Sequence, residues 1–433
     1  MQKIYNSKNT YYGLLMITIA LIISLSGCKD TCEITTTYVY YSPVYTSMEE
    51  IRASVATEPS KEMTQLGKIY FRGKYLFINE PNSGVHVINN EDPSNPINEA
   101  FIKIPGSFDI AVDGNILYSD SYIDMVAIDI SDINNVREVG RVKNIFPSYN
   151  SYGFYADEQQ GIVTGWKEEG DPSTFESGCE GSEYAWGWQY NHGIALEAFD
   201  ATAAVAPTNP GMAGSMSRFA LSNGFLYAID QNDLYPINIT NPADLKSEDK
   251  VTIEWGVETL FPKGDKLFIG AQNGMYIMSL ENPAMPQWVS TYTHIRSCDP
   301  VVVDGDYAYV TLRSGTACQG FTNQLEIIDI SDIRHPQLLE TYEMFNPHGL
   351  GKDGDVLFIC DGDDGLKAYN VNDISAMDQN MLMHNKNIHA YDIIPYNNVA
   401  MMIGADGLYQ YDYSDMSAIK LLSHLKILPA NGN

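Results

Sequence analysis

Short apolar runs, each closed by a glycine or a polar turn, recur along the chain from about residue 67 to near its end. One half of the recurring unit places a glycine, usually followed by a polar residue, ahead of an apolar run: Gly73-Lys-Tyr-Leu-Phe-Ile, Gly114-Asn-Ile-Leu-Tyr, Gly224-Phe-Leu-Tyr, Gly264-Asp-Lys-Leu-Phe-Ile, Gly305-Asp-Tyr-Ala-Tyr-Val and Gly354-Asp-Val-Leu-Phe-Ile. The other half is an apolar run ending in a polar turn. It appears at Val87-Ile-Asn-Asn-Glu-Asp-Pro93, Ala127-Ile-Asp-Ile-Ser-Asp132, Pro236-Ile-Asn-Ile-Thr-Asn-Pro242, Ile277-Met-Ser-Leu-Glu-Asn-Pro283, Ile327-Ile-Asp-Ile-Ser-Asp332, Ala368-Tyr-Asn-Val-Asn-Asp373 and Gln410-Tyr-Asp-Tyr-Ser-Asp415. A degenerate eighth copy starts at Gly161-Ile-Val-Thr and resumes at Ile194-Ala-Leu-Glu-Ala-Phe-Asp200. The steps from Gly73 to Gly114, Gly224 to Gly264 and Gly264 to Gly305 are 41, 40 and 41 residues, a period that marks a repeat architecture.

Each unit reads as strands. In Tyr75-Leu-Phe-Ile78 and Val301-Val-Val303 successive side chains point to opposite faces and both faces are apolar, so these strands are covered on both sides. The Asp-Gly, Asn-Gly and Gly-Asp steps between runs rich in Val, Ile, Tyr and Phe are hairpin signals. Asp and Asn in the Ser/Thr-Asp/Asn stretches can bond backbone N–H groups two residues on. Four short strands per repeat, apolar on both faces, predict sheets stacked radially as an all-β propeller. The count of copies predicts eight blades, or seven if the Gly161 unit is absorbed elsewhere.

The repeats resemble LVIVD repeats of secreted bacterial propellers, a run that Leu325-Glu-Ile-Ile-Asp329 approximates, over roughly residues 67 to 428. The resemblance implies the propeller fold and carries little about activity, because propellers host unrelated functions.

Residues 1–27 have the parts of an export signal: Lys3 and Lys8, an apolar run from Gly13 to Leu25, then small residues. That run is short against the roughly 20 residues that span a bilayer. Leu25-Ser-Gly-Cys28 resembles a bacterial lipobox, which implies diacylglycerol on the Cys28 thiol and cleavage before it. Asp30 and Glu33 resemble the acidic signal that sends some lipoproteins of Bacteroidetes to the cell surface. The expected organisation is a signal peptide over 1–27, a tether over 28–66 with a helix-compatible stretch from Met48 to Val55, and a propeller over 67–433 interrupted by an insertion at 166–192. The expected location is the outer membrane, at its cell-surface or periplasmic face.

Lys and Arg number 26 against 55 Asp and Glu, a net of −29, and loss of Lys3 and Lys8 takes it to −31. This excludes nucleic acid and anionic lipid headgroups as partners. Five cysteines remain beside Cys28, an odd number, and Cys298 with Cys318 is the preferred disulfide because both fall in one repeat. The isolated His86, His294 and His335 lack metal-ligand spacing, and Cys360-Asp-Gly-Asp-Asp-Gly365 reads as a hairpin turn, since Asn372 stands where a calcium loop places Glu.

Motifs for an acyl-transfer elbow, a zinc protease, a phosphate-cradling loop and a redox Cys pair are absent. Two regions remain as candidate ligand sites. Asp109, Arg218, Glu258, Asp299, His348 and Asp392 fall within one position of a common register ahead of the glycines, so inner strands would gather them as an acidic ring able to hold calcium or a polyhydroxylated ligand. No cofactor is required. In the insertion, Trp166, Tyr184, Trp186, Trp188 and Tyr190 suit contact with sugar or protein. The leading expectation is a monomeric envelope lipoprotein that binds glycan or a protein partner through loops; an enzyme acting on polysaccharide through the channel carboxylates and a purely architectural component are the alternatives.

Overall fold

The computed structural model describes residues 33–427 apart from 147–149, 152–153, 157–158, 179–211, 255, 296, 298–299 and 316–321. The chain forms two compact units, a small one drawn from residues 1–44 and 164–193 and a large one from 45–163 and 194–433. A two-stranded ribbon pairs Glu33–Thr46 with Ile162–Gly178. Among the described residues no helix is long and apolar enough to cross a membrane.

The large unit is a seven-bladed β-propeller. The innermost strands of blades one to seven are Ile69–Arg72, Ile110–Asp113, Phe219–Ser222, Val257–Lys263, Val301–Asp304, Leu350–Asp353 and Ala390–Tyr396. Each touches the next, and the last touches the first, so the ring is closed. Blade five shows how the sequence makes a blade. Val301–Asp304 pairs with Tyr307–Leu312 across a turn at Gly305, whose φ of +56° lies where a side chain would be strained. Tyr307–Leu312 pairs with Gln324–Asp329, and that strand with Gln337–Glu343. The third strand ends because Asp329 accepts from the Ser331 N–H at 2.8 Å and Asp332 from the Arg334 N–H at 3.1 Å, two Asx turns in succession. Val301, Val310, Leu325 and Ile327 are fully buried together between blades, and each such side chain contributes about 1.5–3 kcal/mol of burial.

The blade count corrects the preferred eight. Gly161 takes the positive φ that its repeat-like context suggests, but the strand after it, Ile162–Gly178, pairs with Glu33–Thr46 and builds no blade. Ile162 is buried because it packs on Met48, Ile51, Tyr122 and Ile123, so an apolar start alone imitated a repeat. The resuming half at 194–200 lies outside the described residues.

Residues 47–59 fold against blades one and two. Ser47 caps a one-turn helix, Met48–Arg52, by accepting from the Glu50 N–H. Arg52 and Arg141 both bond the buried Asp124, at 2.7 and 2.9 Å. Ala56–Pro59 then pairs with Ile97–Lys103 and covers the outer edge of blade one.

Candidate functional site

The polar residues ahead of the inner strands are held there by small irregularities. Asp109 and His348 stand just before their strands, whereas Glu258 and Tyr391 occupy bulges where the register shifts between Val257 and Thr259 and between Ala390 and Asp392. A bulge re-aims side chains at the end of a sheet. It presents Asp392 to the ring's centre.

That centre is filled by the chain itself. Met212 and Ala213 pair with Phe71 and Tyr70 of blade one, and the Gly214 N–H donates to Ile69 O at 3.0 Å. Ser215 donates to Asp392 Oδ1 through its N–H at 3.0 Å and its hydroxyl at 3.1 Å, and the hydroxyl accepts from the Leu350 N–H at 2.6 Å. Lys68 Nζ donates to Met216 O at 3.3 Å, and the Leu260 N–H donates to Ser217 O at 3.1 Å. Ser217 Oγ donates to Asp109 Oδ1 at 2.9 Å, and the Arg218 N–H donates to Asp109 Oδ2. Residues 212–218 therefore bond blades one, two, four, six and seven before entering blade three. Gly214 and Gly349 press on Asp392 so closely that a Cβ on either would overlap its carboxylate.

Burial governs the charges here. It pushes Asp392 up to about 7, against the Ile393 N–H, Ser215 and the Lys68 ammonium. It raises Asp109 likewise, against Lys68, the Ile110 and Arg218 N–H groups and Ser217. Asp120, which accepts from the Phe108 and Asp109 N–H groups at 2.7 and 3.0 Å, also rises to about 7 through burial. The unit is the buried Lys68 ammonium acting on Asp109 and Asp392, whose oxygens are turned to backbone and serine donors, with Asp120 beside Asp109 and under the influence of Arg218.

Of the expected ring, Asp109 and Asp392 converge on this segment. Arg218 shares it through its backbone, while its guanidinium bonds Ile229 O at 2.7 Å and stands 3.7 Å from Asp230. Glu258 accepts from Gln272 Nε2 at 2.9 Å. His348 bonds Asn346 at 3.2 Å through Nε2 and lies edge-on to His389 and Tyr391, ring centroids 5.6 and 5.8 Å away. Asp299 lies outside the described residues, as do Cys28, Cys298, Cys318, Tyr184, Trp186, Trp188 and Tyr190. Trp166 is on the ribbon strand Ile162–Gly178 and is 38% exposed. His86 pairs with Glu80 at 2.9 Å, His335 with Asp332 at 2.8 Å, and His294 Nδ1 with Ile295 O at 2.6 Å. Among the described residues no group of three or more His, Cys, Asp or Glu is placed to hold a metal ion.

Sequence reasoning missed Lys68, Asp120, Ser215 and Ser217. The available signal was Gly211-Met-Ala-Gly-Ser-Met-Ser-Arg218, small residues in a row before an inner strand, where a chain can pass close to other backbone.

Residues 295–344, which include blade five, match the LVIVD repeat model. No curated protein matches the chain. Among solved structures it is similar to the periplasmic gluconolactonase PpgL of Pseudomonas aeruginosa, at 11% identity over 84% of this chain and 97% of that one, with a TM-score of 0.51. It is also similar to the computationally designed protein Ika8, at 10% identity over 86% of this chain and 91% of that one, with a TM-score of 0.50. BamB of Moraxella catarrhalis aligns at 11% identity over 88% of this chain and 90% of that one, with a TM-score of 0.41. Likeness at these identities is one of fold.

Proposed function

We propose that this propeller is a binding or scaffold module, carried to the outer membrane as a lipoprotein on Cys28, that offers its outer surfaces and loops to glycan or a protein partner. The observation that carries this reading is the filled centre. A glycoside-hydrolysing pair needs two carboxylates facing a substrate, roughly 5–9.5 Å apart in an open site. Here Asp109 and Asp392 are nearly fully buried and accept bonds from residues 215–218. Leu25-Ser-Gly-Cys28 supports the anchor, and the exposed Trp166 with the aromatic run 184–190 beyond it supports a recognition role for the insertion.

The experiment has two arms. Metabolic labelling with an alkyne fatty acid should mark the wild-type chain and leave Cys28→Ser unlabelled; equal labelling of both removes the anchor. The full-length protein should then bind a glycan array, or one partner protein, with signal lost in Trp186→Ala and Trp188→Ala. Turnover of polysaccharide pools that disappears in Asp109→Asn or Asp392→Asn would replace the binding reading with the enzymatic one.

A further inference from the structure

The ribbon strand Glu33–Thr46 starts five residues after Cys28. Fully extended, that link reaches at most ~18 Å, so an acyl anchor at Cys28 would hold the ribbon's start within that distance of the lipid headgroups. Glu33 is the strand's one charged residue, and it carries Tyr38, Tyr40, Tyr41 and Tyr45. Tyr40 is 59% exposed and Tyr41 46%. Being adjacent on a strand, they point to opposite faces. Val44, and Trp166 on the partner strand, are also exposed. Beside Trp166, Ser42 Oγ and Lys167 Nζ both bond Glu169 at 2.8 and 2.9 Å, and Glu168 is exposed.

A two-stranded ribbon is at best marginal in water, and exposed Tyr and Trp rings, each with an apolar body and a polar tip, suit a layer where apolar and wet regions meet. Tyr and Trp prefer the depth of the lipid headgroups for that reason. We propose that the ribbon rests in the headgroup layer of the leaflet that holds the Cys28 acyl chains, making the membrane surface its partner. The inference rests on the lipoprotein reading. A mature charge of −31, the −29 of the whole chain less Lys3 and Lys8, selects zwitterionic over anionic headgroups.

The test uses the protein expressed from its full sequence and transferred with its native processing to phosphatidylcholine bicelles, its tryptophans replaced by 5-fluorotryptophan and two resonances assigned with Trp166→Phe and Trp288→Phe. Trp288, half-exposed on the outer strand of blade four, is the internal reference. A headgroup nitroxide should broaden Trp166 severalfold more than Trp288, and a soluble gadolinium chelate should do the reverse. Tyr40→Ser with Tyr41→Ser should move Trp166 toward the chelate's pattern. A Trp166 resonance broadened by the chelate and untouched by the nitroxide overturns the inference, as does one screened from both probes, the signature of a ribbon packed on a second copy. The mass of the same sample separates the two readings. Acylated Cys28 with water-exposed Trp166 sinks the ribbon contact alone, whereas unmodified Cys28 sinks the lipoprotein reading beneath it.

Discussion

Asn90 and Gln410 lie 320 residues apart in the chain and face each other across the seam between blades one and seven. Asn90 Nδ2 donates to Gln410 Oε1 at 2.9 Å, and Gln410 Nε2 returns a bond to Asn90 Oδ1 at 2.7 Å. The four core strands of every blade are consecutive in the chain, so blades one and seven exchange no core strand, and beyond the crossing segment that starts at Met212 the seam relies on side chains. It is held by this buried amide pair, by Ser423 Oγ donating to Pro93 O at 2.6 Å, and by Ile394 and Met401 packed with Ile69, Leu76 and Ile78.

Truncating either amide removes both bonds of the pair and takes the donor from the other's carbonyl oxygen in a buried seam. Asn90→Ala and Gln410→Ala are each expected to destabilise by about 1–3 kcal/mol, and the double variant by clearly less than their sum. Denaturant unfolding of the four proteins measures the coupling; strict additivity would mean that the pair does not fasten the ring.

Asp124 binds two guanidinium groups, and its side chain is fully buried. Although burial opposes ionisation, bonds from Arg52, the Asn144 N–H and Arg141 hold its carboxyl below the usual range. Asp124→Ala leaves Arg52 without its carboxylate and Arg141 with Glu138 alone, and is expected to destabilise by about 3–5 kcal/mol. A loss near zero in thermal or denaturant unfolding would show that the helix Met48–Arg52 is not fastened to blade two through this residue.

Gly349→Ala tests the crowding around Asp392. A methyl group there overlaps the carboxylate, and overpacking of this kind costs about 1–3 kcal/mol or more. Gly305→Ala makes a useful contrast, because open space surrounds Gly305 and only its backbone φ resists the change. Denaturant midpoints should fall further for the first; equal or reversed losses would contradict the tight packing of blade six on Asp392.

Stability should vary with pH in two opposed ways. Asp120 and Asp392, raised by burial to about 7, keep protons that the unfolded chain releases near pH ~3.9. Between those values the folded state binds more protons, so their contribution is greatest at low pH and is lost as pH rises toward 7. Glu80 acts in the other sense. Burial opposes its ionisation, but His86 and Lys61 bring it down to about 2, so its contribution is complete above about pH 4.5 and is lost as pH falls toward 2. Asp392→Asn keeps an acceptor for Ser215 and should flatten the fall in denaturant midpoint between about pH 4.5 and 7; an unchanged slope would contradict the assignment.

The repeat was legible because one physical rule writes it many times. Gly73, Gly114, Gly224, Gly264, Gly305 and Gly354 all adopt the left-handed turn that their position in the unit requires. The seventh such turn is Asn397-Asn398, with φ of 48° and 64°, and a search keyed to glycine passes over it. Asp109 and Asp392 were legible as residues brought to the centre, since their offset from the turn places them there. What they meet was not. Residues 212–217 belong to no repeat, and their bonds to five blades depend on the closed ring, which no local pattern encodes. Gly161 misled for the complementary reason: burial of Ile162 comes from the helix Met48–Arg52 and the turn residues Tyr122 and Ile123 of blade two, not from the sheet of a blade of its own.

Hydrogen exchange at the Ser215, Ser217 and Arg218 amides tests the filled centre most directly. Ser215 and Arg218 donate to buried carboxylates, and Ser215 and Ser217 are almost fully buried. With residues 212–218 bonded across the ring, the Ser215 and Arg218 amides should exchange as slowly as those of the inner strands Ile110–Asp113 and Val301–Asp304, and Ser217 well below its intrinsic rate. Exchange at the unprotected rate, with those inner strands still protected, would mean that the segment leaves the centre open and that Asp109 and Asp392 are available to a ligand.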